Sequence, residues 1–241
     1  MSTMRASLLV FLSTAAAAQY GRYGGDYGGH GSSDGAPFGS EGGGGPLQDF
    51  VDRRQKMVIA HGVLGALAFV VLFPVGSILM RLGTWGQVWL VHAMFQLFAY
   101  LVYVAAFGLG VWMVNKMPYH LLDRYHPIIG ILVLVLLFFQ PILGYLHHVQ
   151  YKRYSRRTVW SYGHLWLGRI VIPLGMINGG LGMLLAAEAP AFLSFAPSRG
   201  QIAAYGVVAG IMWVLWMAAA VFGERRRRRN LGVGAKERDG N

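Results

Sequence analysis

Five long apolar stretches, separated by short polar segments, dominate the hydropathy pattern of this chain. They cover residues 57–80, 88–114, 128–146, 165–187 and 202–222. Each approaches the roughly 20 residues that an α-helix needs to cross the hydrocarbon core of a bilayer. The stretches are continuously apolar and do not alternate as barrel strands do, so they favour helices, which satisfy their own backbone hydrogen bonds in lipid. The pattern predicts an all-α, polytopic membrane bundle with five transmembrane helices.

The composition agrees with a membrane protein and limits its chemistry. Of the 241 residues, 55% are hydrophobic and only 13% are charged, a balance too apolar for a soluble domain of this size. The chain has no cysteine, which excludes thiolate haem ligation, iron–sulfur clusters and covalent attachment of c-type haem. Any haem in this protein must therefore be non-covalent and held by histidine or methionine.

The segment before the first predicted helix divides into two parts. Residues 1–18 contain a short basic region, a short apolar core and small residues, which is typical of a signal peptide, with an uncleaved signal anchor as the alternative. Residues 19–50 are rich in glycine and poor in aliphatic side chains, which predicts a disordered extracellular tail. His30 lies in this tail and is expected to be solvated.

Cleavage after residue 18 would place the N-terminus outside the cytosol and thereby orient all five helices. Most basic residues then fall on the cytosolic side, as the positive-inside rule requires: Arg81, Lys152, Arg153, Arg156, Arg157 and the run 225–229. Arg53, Arg54 and Lys56 are the exception. Residues 223–241 are expected to form a basic cytosolic tail that contacts anionic lipid, a simpler reading than nucleic-acid binding.

Each of the first four predicted helices carries one histidine near its start: His61, His92, His126 and His164. An ionisable residue inside a membrane helix is costly and is a functional hypothesis by default. Because consecutive helices are antiparallel, the first and third of these histidines share the outer side, and the second and fourth share the cytosolic side. Two bis-histidine haems need two such pairs at opposite depths. With a rise of about 1.5 Å per residue, the two irons would lie on the order of 20 Å apart. The pattern predicts a four-helix core that binds two haem b groups.

Other polar and small residues near these histidines have two readings each. Arg169, five residues after His164, would pair with a haem propionate or would snorkel to the membrane surface. Several glycines lie close to the histidines and would make room for a macrocycle or let helices pack closely: Gly62, Gly65, Gly130, Gly168 and Gly175. The remaining histidines lie outside the apolar stretches and are expected to be solvated in loops: His120, His147 and His148.

The stretches around the four histidines resemble the cytochrome b561 domain, particularly the version attached to extracellular DOMON domains in fungi, plants and animals. The matching residues are 61–64, 72–76, 91–93, 125–130 and 163–169, and each of the four histidines has a predicted helix of its own. The resemblance covers residues 51–222. It implies a non-cytosolic haem between the first and third helices and a cytosolic haem between the second and fourth. It also implies transmembrane electron transfer, typically from cytosolic ascorbate to monodehydroascorbate or ferric iron outside, and hence a reductase activity.

Two features depart from that family pattern. Ascorbate-using members have lysines shortly before the second histidine, where this chain has Gly83 and Gln87. A basic patch remains on that side for an anionic donor, formed by Lys152, Arg153, Arg156 and Arg157. The segment before the first helix is too short and too Gly-rich for a DOMON domain, so the expected acceptor is a small molecule or a separate extracellular redox protein.

Two other classes of function compete with electron transfer. A non-redox transporter or scaffold with a histidine relay stays open, and it predicts a colourless protein. A membrane di-metal enzyme of the desaturase type needs histidines clustered at i, i+3 or i+4, and the sequence has no such cluster. The expected partners are the lipid bilayer and small redox molecules but no nucleic acid, and a homodimer is left open.

Overall fold

The computed structural model describes residues 46–116, 122–188 and 196–239, with side chains over 49–116, 122–188 and 196–230. The predicted signal peptide, most of the predicted Gly-rich tail, His30 and His120 lie outside these residues. The described residues contain helices and short connections but no strand. In chain order the elements are α1 (Pro46–Ala66), a π-helical turn (Leu67–Leu72), α2 (Phe73–Leu82), α3 (Val88–Lys116), α4 (Tyr125–Tyr154), α5 (Val159–Glu188) and α6 (Arg199–Asp239).

Five helical segments are long and apolar enough to cross a membrane: Asp49–Leu82, Val88–Lys116, Tyr125–Tyr154, Val159–Glu188 and Arg199–Asn230. The first of them consists of α1, the π turn and α2, which run on without a break. Only 11% of the most apolar window of α4 is buried inside the bundle, so most of its apolar surface needs lipid to cover it. The all-α class and the five membrane helices are confirmed, and the protein is an integral membrane protein.

The helix ends follow local sequence signals. The first helix begins at Pro46, whose fixed φ suits a first turn, and this start lies within the segment that the sequence assigned to the tail. α4 ends where Ser155 adopts a left-handed conformation (φ 51°) and its amide donates to the Tyr151 carbonyl at 2.8 Å. α6 continues as a helix through most of residues 223–241, the predicted basic tail.

The buried core lies in the middle of the bundle. Its fully and nearly fully buried members come from every membrane helix and include Ala68, Phe69, Ala99, Tyr103, Val133, Leu137, Val171, Met176 and Trp216. Hydrogen bonds between helices reinforce the packing. The Tyr103 hydroxyl of α3 donates to the Gly130 carbonyl of α4 at 2.9 Å, and the Trp216 indole of α6 donates to the Ser77 hydroxyl of α2 at 3.0 Å. Hydrogen bonds of this kind help to hold membrane helices together, because the hydrophobic effect does not drive helices to associate in lipid.

The Phe69 ring packs closely against Gly175 in the core. Phe69 is 3% exposed and packs edge-on against Tyr103, with ring centroids 4.9 Å apart. A Cβ atom at Gly175 would overlap the Phe69 ring. We therefore expect Gly175→Ala to destabilise the bundle by about 1–3 kcal/mol, the usual effect of overpacking a core, and to lower the midpoint of thermal unfolding in detergent.

Two variants control for this prediction. Gly206→Ala adds a methyl group where nothing lies within 4 Å, so the better helix propensity of alanine should leave stability unchanged or slightly higher. In the double variant Phe69→Ala/Gly175→Ala the overlap is gone, so its loss of stability should be smaller than the sum of the two single losses. Additive losses would contradict the contact.

Candidate functional site

The structure brings the four membrane histidines together in two pairs. The Nε2 atoms of His61 and His126 lie 3.4 Å apart, and their ring centroids are separated by 5.7 Å with the planes at 89°. The rings of His92 and His164 are separated by 6.3 Å with the planes at 90°. These are the pairs that the antiparallel order of the helices predicted. All four rings are partly buried.

Each histidine makes the same hydrogen bond to the backbone of a neighbouring helix. The Nδ1 atoms lie 2.7–3.2 Å from carbonyl oxygens. The four bonds join His61 to Ala106, His92 to Gly76, His126 to Asn178 and His164 to Gln140. Because a carbonyl oxygen can only accept, each Nδ1 must carry the proton. The lone pair of each neutral imidazole is therefore on Nε2, the atom that is free to bind a metal.

This assignment of protons leaves the two Nε2 atoms of the His61–His126 pair without a hydrogen between them. Two lone pairs that face each other at 3.4 Å repel unless a cation lies between them. Metal–imidazole bonds are about 2 Å long, so two ligands on opposite sides of one ion are about 4 Å apart. The pair thus needs to open by only about half an ångström to coordinate iron in the manner of a bis-histidine haem.

Glycines contact three of the four imidazoles, but none of them is a glycine that the sequence suggested. A Cβ atom at Gly110 would lie 3.1 Å from Cε1 of His61, one at Gly182 would lie 2.7 Å from Cε1 of His126, and one at Gly144 would lie 3.2 Å from Cε1 of His164. Of the suggested glycines, Gly175 instead packs on Phe69, while Gly130 and Gly168 face amide side chains. Nothing lies within 4 Å of a Cβ at Gly62 or Gly65, beside His61. The free Nε2 lone pairs and the glycines that contact three of the four imidazoles are the features of these residues that fit a haem.

The His92–His164 end of the bundle is basic. Arg81 lies close enough to Arg157, Arg169 and His92 to interact electrostatically with each. Glu224 of α6 pairs with Arg157 at 3.0 Å and with Arg227 at 3.1 Å, and thereby ties the fifth membrane helix to the α4–α5 connection. Among the residues whose side chains are described at this end, arginines outnumber carboxylates, which suits an anionic ligand or substrate.

Arg169, the predicted partner of a propionate, points along its own helix. Its guanidinium lies 5.0 Å from the ring centroid of Trp166, a cation–π contact. Within the described residues, no carboxylate lies within salt-bridge distance of Arg169. The side chain is half-buried and lies close enough to Arg81 for their charges to interact.

Two histidines that were expected to be solvated in a loop are instead part of α4. The apolar stretch ends at residue 146, but the helix continues to Tyr154. His147 is half-buried, with Nδ1 2.7 Å from the buried Ser161 hydroxyl and its ring parallel to that of His164 at 6.3 Å. His148 stacks on Trp89 at 4.2 Å. The loop prediction for these two residues was wrong, because the charged end of α4 remains helical.

Arg54 is a residue whose role the sequence did not reveal. Its position before the first apolar stretch predicts a basic residue on the outer surface, yet it is only 6% exposed. Its guanidinium donates to the Lys116 carbonyl at the end of α3 and lies 4.2 Å from the Phe50 ring centroid. A cation at a helix C-terminus is electrostatically favourable. The one signal in the sequence is that Arg54 precedes His61 by seven residues, which is two helical turns.

The described residues contain no group of three or more His, Cys, Asp or Glu side chains placed to hold a metal ion. The histidines meet in twos, as axial ligation of haem requires.

Comparison with known proteins gives one relative. A cytochrome b561 and DOMON domain-containing protein of Arabidopsis thaliana is 34% identical over 128 residues, which is 52% of this chain and 31% of that protein. This similarity supports the cytochrome b561 family. No family model and no solved structure matches the chain. The match spans about a third of the longer relative, so whatever that whole protein does enters for this chain only as a proposal.

Proposed function

We propose that this protein carries electrons across the membrane by means of two b-type haems. His61 and His126 would hold one of them, and His92 and His164 the other. The observation that supports this most strongly is the set of four Nδ1–carbonyl hydrogen bonds, which leaves the Nε2 lone pair of every imidazole free to bind iron. A b-type haem held at each pair supplies one-electron redox chemistry.

The chain itself provides the ligands, their orientation and the dry space between them. The carbonyls of Ala106, Gly76, Asn178 and Gln140 fix each imidazole in the tautomer that binds iron and raise its basicity. The acceptor on each helix lies about four helical turns from the histidine of the same helix, so the two pairs are about 20 Å apart along the helix axes. Buried apolar residues such as Phe69 and Val133 fill the space between the pairs and exclude water from it.

The orientation is part of the proposal. An extracytosolic N-terminus and a cytosolic C-terminus would place the His92–His164 pair near the cytosol. The basic residues at that end, including Arg157 and Arg225 to Arg229, support this orientation through the positive-inside rule. Arg54 is a basic residue on the opposite side of the membrane in this orientation. It is weak evidence against the orientation, because its guanidinium is buried and donates to a carbonyl inside the bundle.

In this orientation the electrons come from a cytosolic reductant and leave to an extracytosolic acceptor. Ascorbate is the proposed donor, attracted as an anion to the basic end where Arg81, Arg157 and Arg169 lie. The proposed acceptor is ferric iron, monodehydroascorbate or a separate redox protein outside, so the protein would act as a transmembrane reductase. Arg169 would hold a propionate or the donor itself.

The visible absorption spectrum of the detergent-purified, full-length protein tests the proposal directly. We expect a six-coordinate b-type spectrum, about two haems per chain, and reduction by ascorbate before dithionite is added. Supplementing the growth medium with a haem precursor makes sure that haem supply does not limit the result. A folded protein that stays colourless would refute electron transfer and leave the non-redox transporter or scaffold.

A further inference from the structure

In three of the four helices that carry a membrane histidine, the carbonyl that accepts a bond from another helix's histidine follows the helix's own histidine by the same number of residues. We refer to this repeated spacing as the frame. In α3, the Ala106 carbonyl comes fourteen positions after His92, and Gly110 follows one turn later. In α4 the same positions relative to His126 are Gln140 and Gly144, and in α5 relative to His164 they are Asn178 and Gly182. In all three, the first position accepts the hydrogen bond of another helix's histidine, and the second contacts the same imidazole.

The exchange of these bonds is reciprocal. The first membrane helix and α3 each bind the other's histidine, and α4 and α5 do the same. Each histidine pair then takes one member from each of these two-helix units. A spacing of fourteen positions is close to four α-helical turns, which contain about 14.4 residues, so the histidine and the acceptor lie on the same face of their helix.

The first membrane helix departs from the frame by one residue. Its acceptor, Gly76, comes fifteen positions after His61, and the position one turn later is Met80 where the other helices have glycine. The π turn Leu67–Leu72 lies between His61 and Gly76. A π turn holds about one residue more than an α turn because its hydrogen bonds run from i to i+5. The additional residue and the additional spacing therefore coincide.

We infer that the π turn accommodates one additional residue in the first membrane helix. It thereby keeps the Gly76 carbonyl in position to accept the hydrogen bond of His92. Four residues of the turn are buried: Ala68, Phe69, Val70 and Leu72. Among them is Phe69, whose ring packs on Gly175 and Tyr103 midway between the two histidine pairs. The turn is thus a positioning element. The register follows from the helices alone, and its consequence for haem rests on the proposed function.

The test compares two single-residue deletions at matched depth. Deleting Val71 gives the first membrane helix the same spacing from His61 to its acceptor as the other helices have, so the turn should close into an α-helix with the register kept. Deleting Leu101 shortens the α-helical spacing from His92 to Ala106 by one residue. This rotates the Ala106 carbonyl by about 100° relative to His92 on the same helix and moves it out of register with His61. Leu101 is 58% exposed, so its own side chain contributes little to the core.

We expect the Val71 deletion to unfold within a few degrees of the unmodified protein and to keep its haem content. The Leu101 deletion should lower the unfolding midpoint by about 10 °C or more and lose haem. A Val71 deletion that is no more stable than the Leu101 deletion, including the case in which neither folds, would overturn the inference. If the unmodified protein binds no haem, the proposed function fails, but the two unfolding midpoints still decide the register.

Discussion

His61→Ala and His126→Ala should each reduce the haem content from about two to about one per chain. Each substitution removes one of two axial imidazoles, while the His92–His164 pair lies four helical turns away and keeps all its contacts. His92→Ala and His164→Ala should remove the other haem and leave the first. Haem is counted by extraction against protein concentration, and a redox titration should change from two components to one, with the same component lost from both members of a pair.

His148→Ala is the matched control. His148 lies on α4 like His126, but it stacks on Trp89 and belongs to neither pair, so its removal should leave both haems. Loss of both haems from any single pair substitution, with the protein still monodisperse, would mean that the pairs are not independent sites. Different components lost from His61→Ala and His126→Ala would mean that these two histidines do not share a haem.

The helices and the two pairs could be predicted because they depend only on side-chain identity and on the order of the helices along the chain. Hydropathy gives the number of membrane helices, and the alternation of antiparallel helices sets His61 beside His126 and His92 beside His164. Apolar stretches underestimate helix length, however. The position of His147 after the end of such a stretch predicts a loop, whereas α4 continues through polar residues to Tyr154.

The contacts that orient the histidines could not be predicted, because they are made by the backbone. The carbonyls of Ala106 and Gly76 carry no signal in their side chains, and they become acceptors only through the packing of neighbouring helices. The glycines show the same limit. Gly62 and Gly65 are close to His61 in sequence, whereas the glycine that contacts the His61 imidazole is Gly110 on another helix.

The π turn is hidden from the sequence for a related reason. Leu67 to Leu72 is uniformly apolar, and nothing in its composition distinguishes a π turn from an α turn. The additional residue is indicated only by the spacing from His61 to Gly76, which is one position longer than the corresponding spacing in the other three helices. That comparison requires the identity of each acceptor, which only the three-dimensional structure provides.

Gly182→Ala should displace the His126 imidazole and selectively weaken the haem of the His61–His126 pair. A Cβ at this position would lie 2.7 Å from Cε1 and 3.0 Å from Nδ1 of His126. The ring cannot swing away freely, because its Nδ1 donates at 2.9 Å to the Asn178 carbonyl, one turn earlier on the same helix. Moving the ring breaks that bond, leaves the Nδ1–H of His126 without an acceptor in the membrane and no longer fixes the tautomer.

The expected result is a haem content that falls towards one per chain, with the component lost on redox titration being the one that His61→Ala removes. Gly180→Ala is the control, since it lies two residues away on α5 and its Cβ would meet only Tyr205, at an ordinary 3.8 Å. It should keep both haems and the full unfolding midpoint. A Gly182→Ala protein with two haems and unchanged potentials would show that the imidazole tolerates the methyl group, and that this glycine packs helices without shaping the site.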